Sequence, residues 1–269
     1  MIEAIKSYLA GFSEEQRLNR LREYIHWLLL KGLDEKGYRK NLAFVGGTAL
    51  HMAFETGRFS EDLDFSLVSG RGYRTKTFAD QLLAYSEMCG LKAGIDALRD
   101  HQNLSMFFIK FSEILYDLRL TSHKGQKLSI KIEVDKNPPR GWKLEEHLFT
   151  DPFMFMVTHF DLSSLLSGKL HALLFRGFDK GRDYYDLIFF LRKGVRPNMP
   201  MFINAVKQTH PRLKIPDLVT VKNLVGKKIE SMDPHAIKNE IAPFLLNREE
   251  LNLLNPELML KALDQAWKK

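Results

Sequence analysis

The sequence predicts an α/β (α+β) fold, with a mixed sheet in the first half followed by an all-helical second half. Three observations predict it. Apolar and polar residues alternate at Leu63, Phe65 and Leu67 and again at Leu128, Ile130, Ile132 and Val134, the period of a half-buried strand. The run Lys136-Asn137-Pro138-Pro139-Arg140-Gly141 cannot continue a central strand, so it is expected to close the sheet region. Beyond it, apolar residues recur at the three- and four-residue spacing of amphipathic helices. At 269 residues, the chain exceeds the roughly 100–200 residues usual for one domain. A boundary near residue 150 is therefore expected, giving an opening helix plus α/β domain over 1–150 and a helical domain over 151–269 that contributes to a cleft between the halves.

Taken in order, Leu18, Leu21, Ile25, Leu28 and Leu29 predict an amphipathic helix over residues 14–33. The apolar run Asn41 to Val45 reads as a strand, Gly46-Gly47 as a turn, and Thr48 as the cap of a helix over Ala49 to Glu55. Leu63 to Leu67 is the next strand, with Asp62, Asp64 and Ser66 on its polar side, and Thr77 to Met88 the next helix. Residues 104–120, rich in Phe, Ile, Leu and Tyr, are expected to be extended and hairpin-like. With the strand over Leu128 to Val134, the sheet is expected to hold about four or five strands. Six helices follow: Ser163 to Phe175, Arg182 to Arg192, Pro200 to Gln208, Asp217 to Ser231, Pro234 to Leu245 and Pro256 to Trp267. Pro234 and Pro256 suit first-turn positions, where a missing N–H costs nothing.

A composition of 45% hydrophobic and 27% charged residues is that of an ordinary globular protein and excludes a disordered or fibrous chain. The formal charge of +7 suits an acidic partner such as nucleic acid or a nucleotide. Cys89 is the only cysteine, so no internal disulfide forms and the residue reads as packing. The first residues carry charges throughout and have no signal-peptide core, and no segment approaches the ~20 apolar residues needed to cross a bilayer. A cytoplasmic location without membrane contact is expected.

The chemistry-bearing residues fall in three places. Gly46 and Gly47 at a strand end let backbone amides approach a phosphate, and a helix starting beside Thr48 aims its positive end at the same spot, which makes a triphosphate cradle. Asp62 and Asp64, one strand repeat apart, project from the same face and can hold one or two Mg²⁺ or Mn²⁺ ions. Two-metal phosphoryl transfer takes a further carboxylate from a neighbouring strand, and Lys131-Ile-Glu133-Val-Asp135 offers two. Glu133 lies deeper in the strand than Asp135 and is the candidate chosen. In the helical half, Lys169 interrupts the apolar run from Leu165 to Phe175, where a buried ammonium needs an anion: a nucleotide phosphate, or Asp183 or Asp186 one helix on.

These residues resemble the AbiEii/MenT family of nucleotidyltransferase toxins, members of the polymerase-β-like nucleotidyltransferase superfamily. Gly46-Gly47-Thr48-Ala49-Leu50 with Arg58-x-Ser60-x-Asp62-Leu63-Asp64-Phe65 is similar to the family's first motif, whose paired aspartates bind metal; Arg58 and Ser60 thereby join the candidate nucleotide-binding residues. Lys169 with Arg182-Asp183-x-x-Asp186-Leu187 is similar to later motifs in which a lysine and an aspartate are needed for activity. Ile241 to Leu245 also looks family-like, so the resemblance spans most of residues 40–250. It departs in having Thr48 where serine is frequent and Glu133 where the superfamily commonly has aspartate. The resemblance implies transfer of a nucleoside monophosphate from an NTP to RNA, notably the acceptor end of tRNA, and an antitoxin partner. Asp62, Asp64 and Glu133 would hold metal, with Lys169, Asp183 and Asp186 completing the catalytic set. Nucleotidyl transfer to a small molecule or protein, or silent nucleotide or RNA binding, would use the same residues.

Overall fold

The structure is a computed structural model that describes residues 1–215 and 217–268. The chain forms two compact units that interleave along the sequence. The first comprises residues 1–49, 60–138 and 145–159, and the second residues 50–59, 139–144 and 160–269. The boundary expected near residue 150 thus falls inside a segment of the first unit, because the chain returns to the sheet after the Pro138-Pro139 turn.

The first unit opens with α1 (Ile2–Leu9) and α2 (Glu14–Glu35), whose Leu21, Ile25, Leu28 and Leu29 are buried along the predicted stripe. A seven-stranded mixed sheet follows, built from β1 (Leu42–Val45), β2 (Leu63–Leu67), β3 (Ala93–Asp100), β4 (Leu104–Phe111), β5 (Leu128–Asp135), β6 (Leu144–Phe149) and β7 (Phe155–Phe160). Their order is β3-β4-β5-β2-β1-β7-β6, with β2–β5 and β1–β7 parallel and β1–β2, β3–β4 and β4–β5 antiparallel. On β5, Leu128, Ile130, Ile132 and Val134 are buried while the intervening residues keep some solvent contact, the alternation the sequence shows. The helix α4 (Thr75–Met88) buries Phe78, which meets Tyr38, Phe65 and Phe107 with ring centroids 4.7–6.3 Å apart. Gly32 lets α4 approach α2, since a Cβ there would lie 2.6 Å from Tyr85 Cδ1.

The expectation of four or five strands is corrected to seven. β3 is an edge strand with most residues exposed and a bulge at Asp96–Arg99, so nothing forces an apolar alternation on it. β6 and β7 lie beyond the Pro-Pro run, which is therefore a turn within the sheet region and not its end. Residues 104–120 also differ from expectation, since β4 stops at Phe111 and a short helix α5 (Ile114–Asp117) follows.

The second unit is helical: α6 (Leu162–Phe175), α7 (Gly181–Arg192), α8 (Met199–Thr209), α9 (Leu218–Glu230), α10 (Pro234–Ile241) and α11 (Pro256–Ala266). Asp161, Asn198, Asp217, Asp233 and Asn255 cap α6, α8, α9, α10 and α11 through side-chain oxygens that accept backbone N–H groups. Leu166, Leu170, Tyr184, Leu187, Phe190, Phe202, Val221, Val225, Ile229, Ile241 and Met259 form its core. A helix α3 (Gly46–Phe54) carries the chain from the first unit's segment 1–49 into the second unit's segment 50–59. Among the described residues no helix is long and apolar enough to cross a membrane.

Candidate active site

In the first unit, β1 ends at Val45, which pairs with Asp64 across the antiparallel β1–β2 ladder. The helix α3 begins at once, at Gly46, which has φ +77°, so the turn needs glycine at that position. A Cβ on Gly46 would lie 2.9 Å from both Cβ and Cγ of Asp64. The glycine therefore makes room for the second aspartate. Thr48 is not the helix cap, as the helix starts two residues earlier. Its side chain is fully buried and its hydroxyl donates to the carbonyl of Asp62. The residue thus fixes the loop that presents the first aspartate.

Asp62 itself stands one residue before β2, and Asp64 lies within it. The parallel β2–β5 register sets Asp64 opposite Glu133 and Ser66 opposite Asp135. Continued by one residue from the Leu63–Ile132 pair, it brings Asp62 level with Lys131. Lys131 forms an ion pair with Glu133. Burial pushes the Lys131 pKa down, but the bond to Glu133 and the charges of Glu133, Asp62 and Asp64 outweigh it and hold the ammonium above its ordinary value. One ammonium thus stands in the field of all three carboxylates. Asp135, the alternative third carboxylate, accepts the Asn137 N–H at 2.9 Å in the turn that leaves the strand. Burial, partly opposed by that bond, raises its pKa.

Among the described residues, no three His, Cys, Asp or Glu side chains are gathered as a ready metal site. The carboxylates of Asp62, Asp64 and Glu133 all act on the Lys131 ammonium, and oxygen donors of this kind are the ligands that Mg²⁺ and Mn²⁺ take.

The second unit holds an ion-pair network. Backbone bonds stitch residues 57–59 to 244–246, Phe59 N–H to the Phe244 carbonyl at 2.8 Å and Leu246 N–H to the Gly57 carbonyl at 2.9 Å. Arg58 is thereby held inside the unit, 1% exposed. Its Nε and Nη2 donate to the two oxygens of Asp186 at 2.6 and 2.7 Å, and Nη1 donates to the Phe59 carbonyl at 3.1 Å. Asp186, fully buried on α7, also receives Lys169 Nζ from α6 at 2.7 Å. Burial alone would raise its pKa, and the Arg58 and Lys169 cations more than reverse this and hold it below the ordinary value. Asp183 is paired with Arg176 and lies 4.0 Å from Lys169. The network thus holds one cation more than carboxylates, and Lys169 and Arg176 keep 18% and 29% of their side chains exposed.

The predicted residues are therefore distributed between two clusters. Gly46, Thr48, Asp62, Asp64 and Glu133 belong to the first unit with Gly47 and with Ser60, which is partly exposed, and Arg58, Lys169, Asp183 and Asp186 to the second. Arg58, expected at a nucleotide, has its guanidinium fork engaged by Asp186. Sequence reasoning missed Lys131 and Arg176. Lys131 had a signal, its place two residues from Glu133 on the same strand face, whereas Arg176 lies at the end of α6 and finds Asp183 only through the fold.

The family model described as nucleotidyl transferase AbiEii toxin, Type IV TA system, matches residues 27–269. Two solved structures share the fold at 17% identity. One is a crystal structure described as a candidate nucleotidyltransferase from H. pylori, with a TM-score of 0.51 and coverage of 92% of this chain and 97% of that one. The other is JHP933 from Helicobacter pylori, with a TM-score of 0.50 and coverage of 92% and 94%. No curated protein matches the chain.

Proposed function

The chain belongs to the AbiEii family of nucleotidyltransferase toxins, and from that premise we propose that it transfers a nucleoside monophosphate from an NTP to an RNA hydroxyl, with the acceptor end of tRNA as the target. The observation that carries the reading is the β2–β5 register, which sets Asp64 opposite Glu133, with Asp62 one residue before the strand and one lysine in the field of all three.

Asp62, Asp64 and Glu133 would hold Mg²⁺ or Mn²⁺. When bound, such an ion neutralises phosphate charge and eases deprotonation of the attacking hydroxyl. The acceptor oxygen forms a bond to the α-phosphorus, the bond from that phosphorus to the bridging oxygen breaks, and pyrophosphate leaves. Glu133 takes up the hydroxyl proton. Thr48 holds the Asp62 loop in place, and the amides after Gly46 face the phosphates at the start of α3. Within the second unit, Lys169 is held by Asp186, which Arg58 in turn anchors. The basic excess of the chain favours RNA over a neutral acceptor. The type IV toxin–antitoxin family implies a cognate antitoxin, and a cytoplasmic location is the expectation that goes with NTP and tRNA as substrates.

The test is incubation of the purified chain with Mg²⁺, total cellular RNA and each α-labelled NTP in turn, beside Asp62→Ala. A tRNA-sized labelled band that the variant loses supports the reading and identifies the base. Label in protein or a small molecule, or in nothing, removes RNA as the acceptor.

A further inference from the structure

The five residues Arg176-Gly-Phe-Asp-Lys180 join α6 to α7 and carry Phe178, whose side chain is left 62% exposed. Arg176 Cζ lies 5.6 Å and Lys180 Nζ 5.5 Å from the centroid of its ring. Both cations are within the range where the ring's negative face attracts them. The acidic residue of the loop, Asp179, is held by Lys228 at 2.5 Å. With 62% of it exposed, the ring contributes little to folding by burial.

Arg176 links this ring to the ion network. It stands just past the C-terminal end of α6, seven residues after Lys169, and both reach Asp183, Arg176 as an ion pair and Lys169 at 4.0 Å. Lys169 on α6 and Arg176 just past its end thus share Asp183, and Arg176 also stands against the exposed aromatic ring. Phosphates alone would be served by the cations. An aromatic face beside them adds what a base requires, since every base has a π-face and stacking on a Phe ring is indifferent to its identity.

We propose that Phe178, with Arg176 and Lys180, is a stacking platform for one unpaired nucleotide, the base lying on the ring and the phosphates on the two cations. The inference deepens the nucleotidyl-transfer reading and rests on it for the biological meaning of the site, while the binding itself does not depend on catalysis. Two sources offer this chemistry: the incoming NTP and the terminal nucleotide of the acceptor RNA.

The test compares wild type, Phe178→Ala and Phe178→Trp by equilibrium binding at fixed salt. The probes are each NTP without RNA, and a short single-stranded RNA of mixed sequence without NTP, so that neither can turn over. Phe178→Ala is expected to weaken one of the two by about five- to 150-fold, the loss that removing one base–aromatic stack produces, and Phe178→Trp to retain it. Loss confined to NTP assigns the platform to the incoming nucleotide, and loss confined to RNA assigns it to the acceptor. Unchanged binding of both probes overturns the proposal. So does a weakening in which Phe178→Trp fails to rescue or the thermal midpoint falls with it, because the ring would then be structural. If transfer to RNA is never detected but the Phe178→Ala loss is, the transfer reading falls and the platform stands.

Discussion

Asp186 shows what one buried charge does in this protein. It is fully buried, and both its oxygens are occupied by Arg58 while Oδ2 also receives Lys169. Removing one partner of such a pair costs more than the pair contributes, since the other charge remains buried and uncompensated. Asp186→Asn is expected to destabilise the chain by about 3–5 kcal/mol, measured by urea denaturation at neutral pH. The pH dependence follows from the depressed pKa. A carboxylate held below its ordinary value of 3.8 contributes stability that is fully present above that value and is lost as pH falls through the folded-state value. The difference between wild type and Asp186→Asn should therefore narrow as the pH is lowered below about 4, first because the unfolded wild-type chain takes up the proton and finally because the folded one does. A difference that stays constant into acid would show that the charge is not what the pair uses.

The strand–turn–helix element of β1, Gly46 and α3 places the first aspartate, and Thr48 is its fastening. The hydroxyl is buried in the first turn of α3 and donates to the carbonyl of Asp62, fourteen residues on. Valine matches threonine in shape and lacks the donor. Thr48→Val is expected to cost about 1–3 kcal/mol, because the buried hydrogen bond from the Thr48 hydroxyl to the Asp62 carbonyl is lost, and to reduce transfer activity about tenfold or more by freeing the Asp62 loop. Thr48→Ser keeps the donor and should retain activity within about threefold, the smaller loss reflecting one missing methyl. Parallel assays of labelled transfer on the two variants check this. Equal losses would mean that the methyl packing, not the hydrogen bond, positions the loop. The neighbouring element, β5, makes the second contribution. Its register against β2 selects Glu133 as the residue beside Asp64, while Asp135 is taken up in a turn.

At the scale of the whole molecule, the two units interleave, and β1 sits inside the sheet between β2 and β7. A fragment ending at residue 150 would lack β7, which pairs with β1 through Phe44 and His159. It would expose the unpaired edge of a buried strand, an invitation to aggregation. Fragment 1–150 is expected to be aggregated on size-exclusion chromatography and to show no cooperative thermal transition, in contrast to the full chain. A monomeric, cooperatively melting fragment would mean that the sheet is complete without its last strand. The same topology explains why the family resemblance extends nearly from end to end, since the family model covers residues 27–269 and so takes in both units.

The sequence by itself determined the elements that local pattern dictates. Period-two alternation marked β2 and β5, helical spacing marked α2 and α6 to α11, and Pro234 and Pro256 marked the first turns of α10 and α11, because covalent spacing alone decides which side chains share a face. Gly46, Asp62 and Asp64 were legible for the same reason, as they lie within one strand–turn–helix–strand stretch. The tertiary structure alone decided the rest. The exposed edge strand β3 has no buried face to impose a pattern, and the return of β6 and β7 depends on where the chain folds back after Pro139. The Arg58–Asp186 pair joins residues 128 apart, and Lys131 gains its meaning only when β2 and β5 lie side by side. Such contacts follow from which faces meet in the packed core, and no spacing along the chain records that choice.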